Sequence, residues 1–179
     1  MTRPKLILLY GFAAIGKTTV AKRYAGEHAL AMNLDQDKII SMLGLWPEHE
    51  AEARKLVSEL CKTLAVTYLR RDHDVVVPCL PTMSERVQDF ERIAKDADAD
   101  FFEVALTTTR EDAIQRLLAR GKWGEEGSLA VITKADLPAI EKLYDDVSKA
   151  LTARPKTKHI QSVKDQPEAT YQQFLAAIA

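Results

Sequence analysis

Cysteine is scarce in this chain of 179 residues, and neither of its two cysteines stands in a pattern that builds a site. Cys61 and Cys79 belong to no CxxC motif and have no histidine neighbour at metal-ligand spacing. We therefore expect two reduced thiols that pack as small apolar groups, not a disulfide or a metal site. The four histidines likewise show no catalytic-triad or metal-ligand spacing.

Long apolar runs and an excess of one charge sign are also missing. No apolar stretch approaches the roughly 18 residues that a membrane span requires. Arg3 and Lys5 precede an apolar segment and so imitate a secretion signal, but no convincing cleavage site follows. The 25 basic and 26 acidic side chains leave a net charge of −1, which argues against a surface devoted to nucleic acid or anionic lipid. These features predict a cytoplasmic protein with no membrane partner.

Glycine is limited to seven residues, and most of them fall in two loops. Gly11 and Gly16 lie between an apolar segment and a helical pattern, whereas three others share the loop 121–127. Because glycine lets the backbone turn sharply, approach a ligand or hinge, both loops are candidates for function.

Strand-like and helix-like segments alternate from one end of the chain to the other. Apolar runs predict strands near residues 5–10, 30–34, 74–80, 101–106 and 158–163. Helical spacing predicts helices near residues 17–28, 47–71, 84–97, 111–120 and 137–151, and a last one that opens at Pro167. This alternation indicates an α/β protein with a parallel sheet covered on both sides. The length predicts a single domain over residues 1–179.

The segment 11–18 reads GFAAIGKT and matches the phosphate-binding pattern GxxxxGK[ST]. An apolar strand precedes it and an amphipathic helix follows, which is the context this pattern needs. Backbone N–H groups of such a turn converge on phosphate oxygens, the lysine neutralises the β- and γ-phosphates, and the hydroxyl holds Mg²⁺. We therefore predict a nucleoside triphosphate site with Lys17 on the phosphates and Thr18 on the metal. The other predicted nucleotide contacts are Gly11, Phe12, Ala13, Ala14, Ile15, Gly16 and Thr19.

Two aspartates follow the second predicted strand. Ligands of a doubly wound sheet lie beyond the carboxyl ends of its strands, so we expect Asp35 to face the γ-phosphate and Asp37 to face an acceptor. A carboxylate there can orient an acceptor hydroxyl and take its proton, or hold Mg²⁺. Alternatively, either aspartate caps the helix expected to begin near residue 38.

Two arginines, Arg116 and Arg120, lie four residues apart and so share one face of a helix that ends at the second glycine loop. Arginine matches the charge that spreads over the γ-phosphate oxygens during transfer. A lid at approximately residues 116–134, hinged at glycine, would bring these arginines to the nucleotide and expel water. The alternative is a solvated face on which they pair with carboxylates such as Asp112.

The acceptor pocket is expected between Asp37 and Asp74, near the loop that follows the third strand. Trp46 is a candidate wall of that pocket, and Arg54 and Arg86 are candidate ligands for an anionic group. Each has an ordinary alternative, because tryptophan often packs in a core and arginine usually lies in solvent.

Together these motifs resemble the P-loop kinase superfamily. More narrowly, the chain is similar to the small ATP-binding kinases grouped with shikimate kinase, gluconate kinase, zeta toxins and the polynucleotide 5′-hydroxyl kinases. Only GFAAIGKT is a specific motif; the rest of the likeness is the order of elements. The resemblance implies a three-layer fold with a five-stranded parallel sheet in the order 2-3-1-4-5, a lid, ATP with Mg²⁺, and transfer to a hydroxyl. It also implies that Asp35 serves the metal, that Asp37 grips the substrate, and that Arg116 and Arg120 act from the lid.

The sequence departs from many relatives at the end of the third strand, where VVVPCLPT replaces an acidic residue that supports Mg²⁺. The metal then relies on Thr18, phosphates, water and Asp35. This departure weakens an ATPase-motor interpretation more than a kinase interpretation, since shikimate-type kinases also lack an acid there.

We therefore predict an ATP-dependent kinase acting on a hydroxyl of a small molecule, with Lys17, Asp35, Arg116 and Arg120 as its catalytic residues. A polynucleotide 5′-hydroxyl kinase is one alternative, although neutral net charge and scattered aromatics do not favour a channel for single strands. A GTPase is another, because TKAD at 133–136 and SVK at 162–164 resemble guanine-reading motifs, with Asp136 on the base. Against it, no DxxG appears in the chain.

Overall fold

A single parallel sheet organises the molecule. The computed structural model describes residues 3–82, 84–124 and 131–179. Its strands run in the order β2-β3-β1-β4-β5, as the resemblance implies. They are β1 (Lys5–Tyr10), β2 (Met32–Asn33), β3 (Val75–Cys79), β4 (Asp100–Thr107) and β5 (Lys158–Gln161).

Helices follow the strands and cover both faces of the sheet. They are α1 (Lys17–Glu27), α2 (Gln36–Ser41), α3 (Glu50–Leu69), α4 (Ser84–Asp96), α5 (Arg110–Arg120), α6 (Leu137–Thr152) and α7 (Pro167–Ala177). Single 3₁₀ turns, Trp46–His49 and Lys134–Asp136, precede α3 and α6. Within the described ranges, no helix has both the length and the apolar character needed to cross a membrane.

The central strand β1 shows why the sheet is buried on both sides. Residues 6–10 are all at most 1% exposed, and alternate side chains join different cores. Leu6, Leu8 and Tyr10 pack on one face in the cluster that includes α3, α4, α5 and α6, while Ile7 and Leu9 pack on the other with α1 and α7. A continuous apolar run is the pattern expected of such a strand.

Pro78 lies inside β3, although proline has no N–H to donate and usually ends a strand. The carbonyls of Asp74 and Val76 accept hydrogen bonds from the N–H groups of Met32 and Leu34. Every second residue of β3, including Pro78, therefore directs its backbone groups toward β2. The Leu34 N–H still donates to the Val76 carbonyl at 2.8 Å, and Pro78, which has no N–H, cannot continue the ladder beyond that bond.

Two details of the predicted strands are wrong. The second strand is shorter than residues 30–34, because Leu30 is 69% exposed with a left-handed backbone (φ 58°). Asp74 precedes β3, so it lies at the amino ends of the strands, opposite the phosphate-binding turn. There its carboxylate accepts hydrogen bonds from the Lys5 N–H at 2.7 Å and the Tyr24 hydroxyl at 2.5 Å. Asp74 therefore cannot border the acceptor pocket.

Candidate active site

The turn between β1 and α1 is tightly curled. Gly11, Ala14 and Gly16 have positive φ angles of 151°, 60° and 103°. A Cβ on Gly11 would come within 2.8 Å of the Ile15 side chain and 2.9 Å of the Leu106 carbonyl oxygen, so only glycine fits there. The turn leads directly into the N-terminus of α1, where backbone N–H groups and the helix dipole favour an anion.

Lys17 is held inside this turn. Its Nζ donates hydrogen bonds to the carbonyls of Gly11 at 2.8 Å and Phe12 at 2.7 Å. Burial lowers the pKa of Lys17 to about 8; the nearby Arg120 guanidinium acts in the same direction, while Asp35 and Asp37 oppose it. The ammonium is therefore poorly compensated by the protein itself, a condition that a bound phosphate relieves.

A cavity of about 560 Å³ lies at the carboxyl ends of the strands, between the phosphate-binding turn, α2, α3 and the end of α5. Most of the residues predicted for the site line it. They are Ala13, Ala14, Ile15, Gly16, Lys17, Thr18, Thr19, Asp35, Asp37, Trp46, Arg54, Arg86, Arg116 and Arg120. Gly11 and Phe12 are buried and do not line it; their carbonyls hold Lys17 instead.

Asp35 is both a cap and a cavity residue. Only 8% of it is exposed, and its side chain accepts the N–H of Asp37 at 3.1 Å, which caps α2. Asp37, two residues further along in the first turn of α2, is exposed at the cavity. Capping and lining are thus compatible, since Asp35 fixes the start of α2 and turns Asp37 toward the same space.

Arg116 is anchored by two elements at once. Its guanidinium pairs with Asp112 at 2.6 Å, and its Nη1 and Nη2 donate to the hydroxyl and carbonyl of Ser162 at 2.9 and 3.2 Å. The Ser162 hydroxyl in turn donates to the Ile15 carbonyl at 2.8 Å. One buried serine therefore joins α5 to the phosphate-binding turn. No sequence pattern marked it for this role, because Ile15 and Ser162 are 147 positions apart.

Arg120 lies one turn beyond Arg116 and also lines this cavity. Its Nε donates to the Lys122 carbonyl at 3.0 Å. Of the predicted lid at residues 116–134, the part 125–130 lies outside the described residues. Lys122 and Val131 on either side of that part form an antiparallel bridge.

A second cavity, of about 380 Å³, opens on the other side of Arg116. It is bordered by the start of α1, by residues 162–165 after β5, and by α7. Val20 and Tyr171 give it apolar walls, and Arg23 and Lys164 also line it. Because both cavities include residues 14–16 and Arg116, one elongated ligand can occupy both.

Both tryptophans of the chain line the larger cavity. Trp46 was expected there, whereas Trp123, which follows α5 in the described part of the lid, had been given no contact of its own. Each is half-buried and packs against the main core cluster, so the expected alternative of a core role holds alongside cavity lining.

Asp136, the residue assigned to guanine in the GTPase alternative, is engaged locally. Its carboxylate accepts the N–H and the hydroxyl of Thr133 at 2.7 and 2.9 Å, which lowers its pKa and caps the turn before α6. It lines neither cavity. This geometry gives no support to guanine reading by TKAD.

Comparison with known proteins agrees with this architecture. A family model described as an AAA domain matches residues 6–136, from the start of β1 to the turn before α6. The chain belongs to this AAA-domain family. The matched region contains the phosphate-binding turn, both aspartates and α5, so the family covers most of the larger cavity.

Comparison with solved structures shows that this AAA-domain protein shares its fold with known kinase structures. A gluconokinase from Sinorhizobium meliloti aligns at 13% identity and TM-score 0.62, over 99% of this chain and 93% of that one. A chain of the Pnkp1/Rnl/Hen1 RNA repair complex aligns at 17% identity and TM-score 0.66, over 87% of this chain. This chain spans 48% of the length of that aligned chain. No curated protein matches the sequence significantly.

Proposed function

We propose that this protein is an ATP-dependent kinase that, with Mg²⁺, transfers the γ-phosphate of ATP to a hydroxyl group of a small molecule. One observation carries the proposal: Lys17, Asp35 and Arg120 from three separate elements line a single cavity at the mouth of the phosphate-binding turn. The kinase-like P-loop fold of the solved relatives supports a phosphotransferase.

ATP is expected to lie across both cavities. Its phosphates would meet the N–H groups of residues 13–18 and the Lys17 ammonium, and its base and ribose would enter the apolar cavity beside Val20 and Tyr171. Arg116 stands where the two cavities meet, so it would contact the nucleotide between base and phosphates.

The residues present fit a magnesium site of the kind in which the nucleotide supplies most ligands. Thr18 offers a hydroxyl oxygen to the metal, and the Asp35 carboxylate in the same cavity is a second donor in the alternative in which it does not take the acceptor's proton. The described ranges contain no group of three or more His, Cys, Asp or Glu side chains that would hold a metal unaided. When bound, Mg²⁺ would offset negative charge on the β- and γ-phosphates.

Transfer would proceed by attack of the acceptor oxygen on the γ-phosphorus while the bond to the bridging oxygen of ADP breaks. Asp35 would orient the acceptor hydroxyl and accept its proton. Lys17 and Arg120 would balance the charge that develops on the transferring group, and Asp37 would hold the acceptor from the exposed side of the cavity. The lid around residues 116–134 is proposed to exclude water during this step.

The direct test is transfer of labelled γ-phosphate from ATP to pools of hydroxyl metabolites, with 5′-hydroxyl oligonucleotides in a parallel reaction. Asp35→Asn should lower turnover by about 10²- to 10⁴-fold and leave ATP affinity nearly unchanged, because it removes the proton acceptor while keeping the cap. Asp146→Asn is the control, because this exposed carboxylate pairs with Lys142 and lines neither cavity.

The outcomes separate the alternatives. Labelling of oligonucleotides and not metabolites would favour the polynucleotide kinase. The structural likeness to a chain of the RNA repair complex supports this alternative. If the protein binds GTP but not ATP, the GTPase alternative would replace the kinase proposal. Equal losses of turnover and ATP affinity in Asp35→Asn would assign Asp35 to the metal or to the fold instead of the proton.

A further inference from the structure

The larger cavity extends beyond the phosphate-binding turn into a region with its own chemistry. That region, here called the acceptor side, is lined by Asp37, Trp46, Arg54, Leu80, Thr82 and Arg86. These residues come from α2, the 3₁₀ turn before α3, α3, the segment that leads from β3 into α4, and the first turn of α4. None of them belongs to the phosphate-binding turn. Their charges therefore indicate which kind of second ligand this part of the cavity can bind.

The two arginines of the acceptor side differ in how their charge is balanced. Arg54 pairs with Glu50 at 2.6 Å, and both side chains are more than half exposed, so its charge is matched on the surface. Arg86 is half-buried, and within the described part of the chain no carboxylate pairs with it. Its Nη1 instead donates a hydrogen bond of 2.7 Å to a neutral acceptor, the Oε1 of Gln36. A cavity-facing cation paired only with an amide calls for an external anion.

Gln36 adds an unused donor at the same place. Because its Oε1 accepts from Arg86, the amide orientation is fixed and the Nε2 group points elsewhere. That Nε2 is buried, and among the described residues it has no hydrogen-bond partner. An unsatisfied buried donor is unfavourable unless a ligand supplies an acceptor. Gln36 also lines the cavity, between the two aspartates of the site.

We infer that the phosphate acceptor carries an anionic group, a carboxylate or a phosphate, which is bound by the Arg86 guanidinium together with the Gln36 amide. The Arg86 guanidinium and the Gln36 Nε2 group can donate hydrogen bonds but cannot accept them. An anionic oxygen, which only accepts, is therefore the matching ligand atom. This inference rests on the proposed kinase function and narrows its substrate to a hydroxy acid or a phosphorylated alcohol. It also separates Arg86 from Arg54, which the sequence treated alike.

The probes are acetate and orthophosphate, titrated separately at constant ionic strength into protein saturated with Mg²⁺ and a non-hydrolysable ATP analogue. The analogue fills the phosphate-binding turn, so any further anion must bind elsewhere. Fluorescence of Trp46 and Trp123 reports binding, since both line the cavity. We expect saturable quenching by one or both anions with Kd in the millimolar range. If one anion saturates, it identifies the group as carboxylate or phosphate; if both saturate, the anion with the lower Kd does.

Three variants decide whether the anion is at Arg86. Arg86→Met should weaken anion binding about tenfold or more, whereas Arg92→Met, on the same helix but 69% exposed and paired with Asp89, should leave it unchanged. Gln36→Glu is nearly isosteric and places a carboxylate against Arg86, so it should abolish binding even if Arg86→Met folds poorly.

The result that overturns the inference is equally defined. It fails if neither anion saturates below about 100 mM, or if quenching is the same in Gln36→Glu and the native chain. Failure of the ATP analogue to bind would instead contradict the proposed function. Analogue binding without anion binding would contradict only the anionic acceptor.

Discussion

Lys17 shows at the scale of one residue how the fold prepares a site for phosphate. The turn supplies two carbonyl acceptors for its ammonium but no ion pair, and burial lowers its pKa to about 8. The unfolded chain would bind a proton at this position up to a pH near 10.5, so between these values the folded protein holds the smaller number of protons. The free energy of unfolding therefore rises with pH in this range. The uncharged lysine, however, has no charge with which to bind a triphosphate.

Nucleotide affinity should therefore fall as pH rises through about 8. Bound phosphate raises the pKa of Lys17, so binding above pH 8 must take up a proton, and affinity weakens by up to about tenfold for each pH unit. Titration of a fluorescent ATP analogue from pH 7.5 to 9.5 measures the slope. Lys17→Arg, which stays charged throughout, should bind with a flat profile. Parallel profiles in both proteins would mean that another group controls binding.

Gly11 makes a second prediction at this scale. An added Cβ meets the backbone carbonyl of Leu106 at 2.9 Å, and the φ of 151° already disfavours other residues. Gly11→Ala should lower the free energy of unfolding by about 1–3 kcal/mol and impair nucleotide binding. Gly26→Ala in α1 is the control, because a Cβ there meets nothing within 4 Å. That change should raise stability by about 0.5–1 kcal/mol. Urea denaturation of both variants decides the matter, and similar shifts would refute the steric argument.

At the scale of elements, the link from α5 through Ser162 to the phosphate-binding turn should matter for nucleotide binding. Removing the Ser162 hydroxyl leaves the Ile15 carbonyl and an Arg116 N–H unpaired, so Ser162→Ala should weaken ATP-analogue affinity about tenfold. Thr107→Val removes a hydroxyl that joins β4 to β5 at the Ile160 carbonyl and does not reach the turn. It should destabilise the protein comparably without changing affinity. Calorimetric titration and thermal unfolding of both proteins separate the two effects, and equal affinity losses would contradict the link.

The elements themselves were largely predictable, because local patterns specify them. The run at residues 5–10, the turn signature and the helical spacing of α5 each depend on neighbours in the chain. The sheet order came with the resemblance, which rests on GFAAIGKT. Contacts between distant segments were not predictable from the same patterns. Arg86 meets Gln36 across 50 positions. Asp74 was expected beside the acceptor pocket although it precedes β3, and the amino end of a strand lies away from the carboxyl edge where the cavity is.

At the scale of the whole molecule, one buried charge cluster joins the central strand to the C-terminal third of the chain. The Glu103 carboxylate, at the middle of β4, accepts from the Tyr10 hydroxyl at 3.0 Å and the Arg154 Nε at 2.6 Å. Both side chains of the ion pair are at least four-fifths buried, and burial raises the pKa of Tyr10, so that the phenol remains a donor. Tyr10 immediately precedes the phosphate-binding turn, which places this cluster directly under the site.

Breaking this pair should destabilise the entire fold, not only its neighbourhood. Arg154→Met leaves the Glu103 carboxylate buried without its cation, and we expect the free energy of unfolding to fall by about 3 kcal/mol. Arg3→Met, which removes an exposed partner of Asp98 and Asp100, should cost less than about 1 kcal/mol. Urea denaturation followed by both fluorescence and circular dichroism measures the loss and its cooperativity. Adding Glu103→Leu to Arg154→Met should recover part of the stability, because it removes the stranded charge; a further loss instead would show that packing, not charge, holds this junction together.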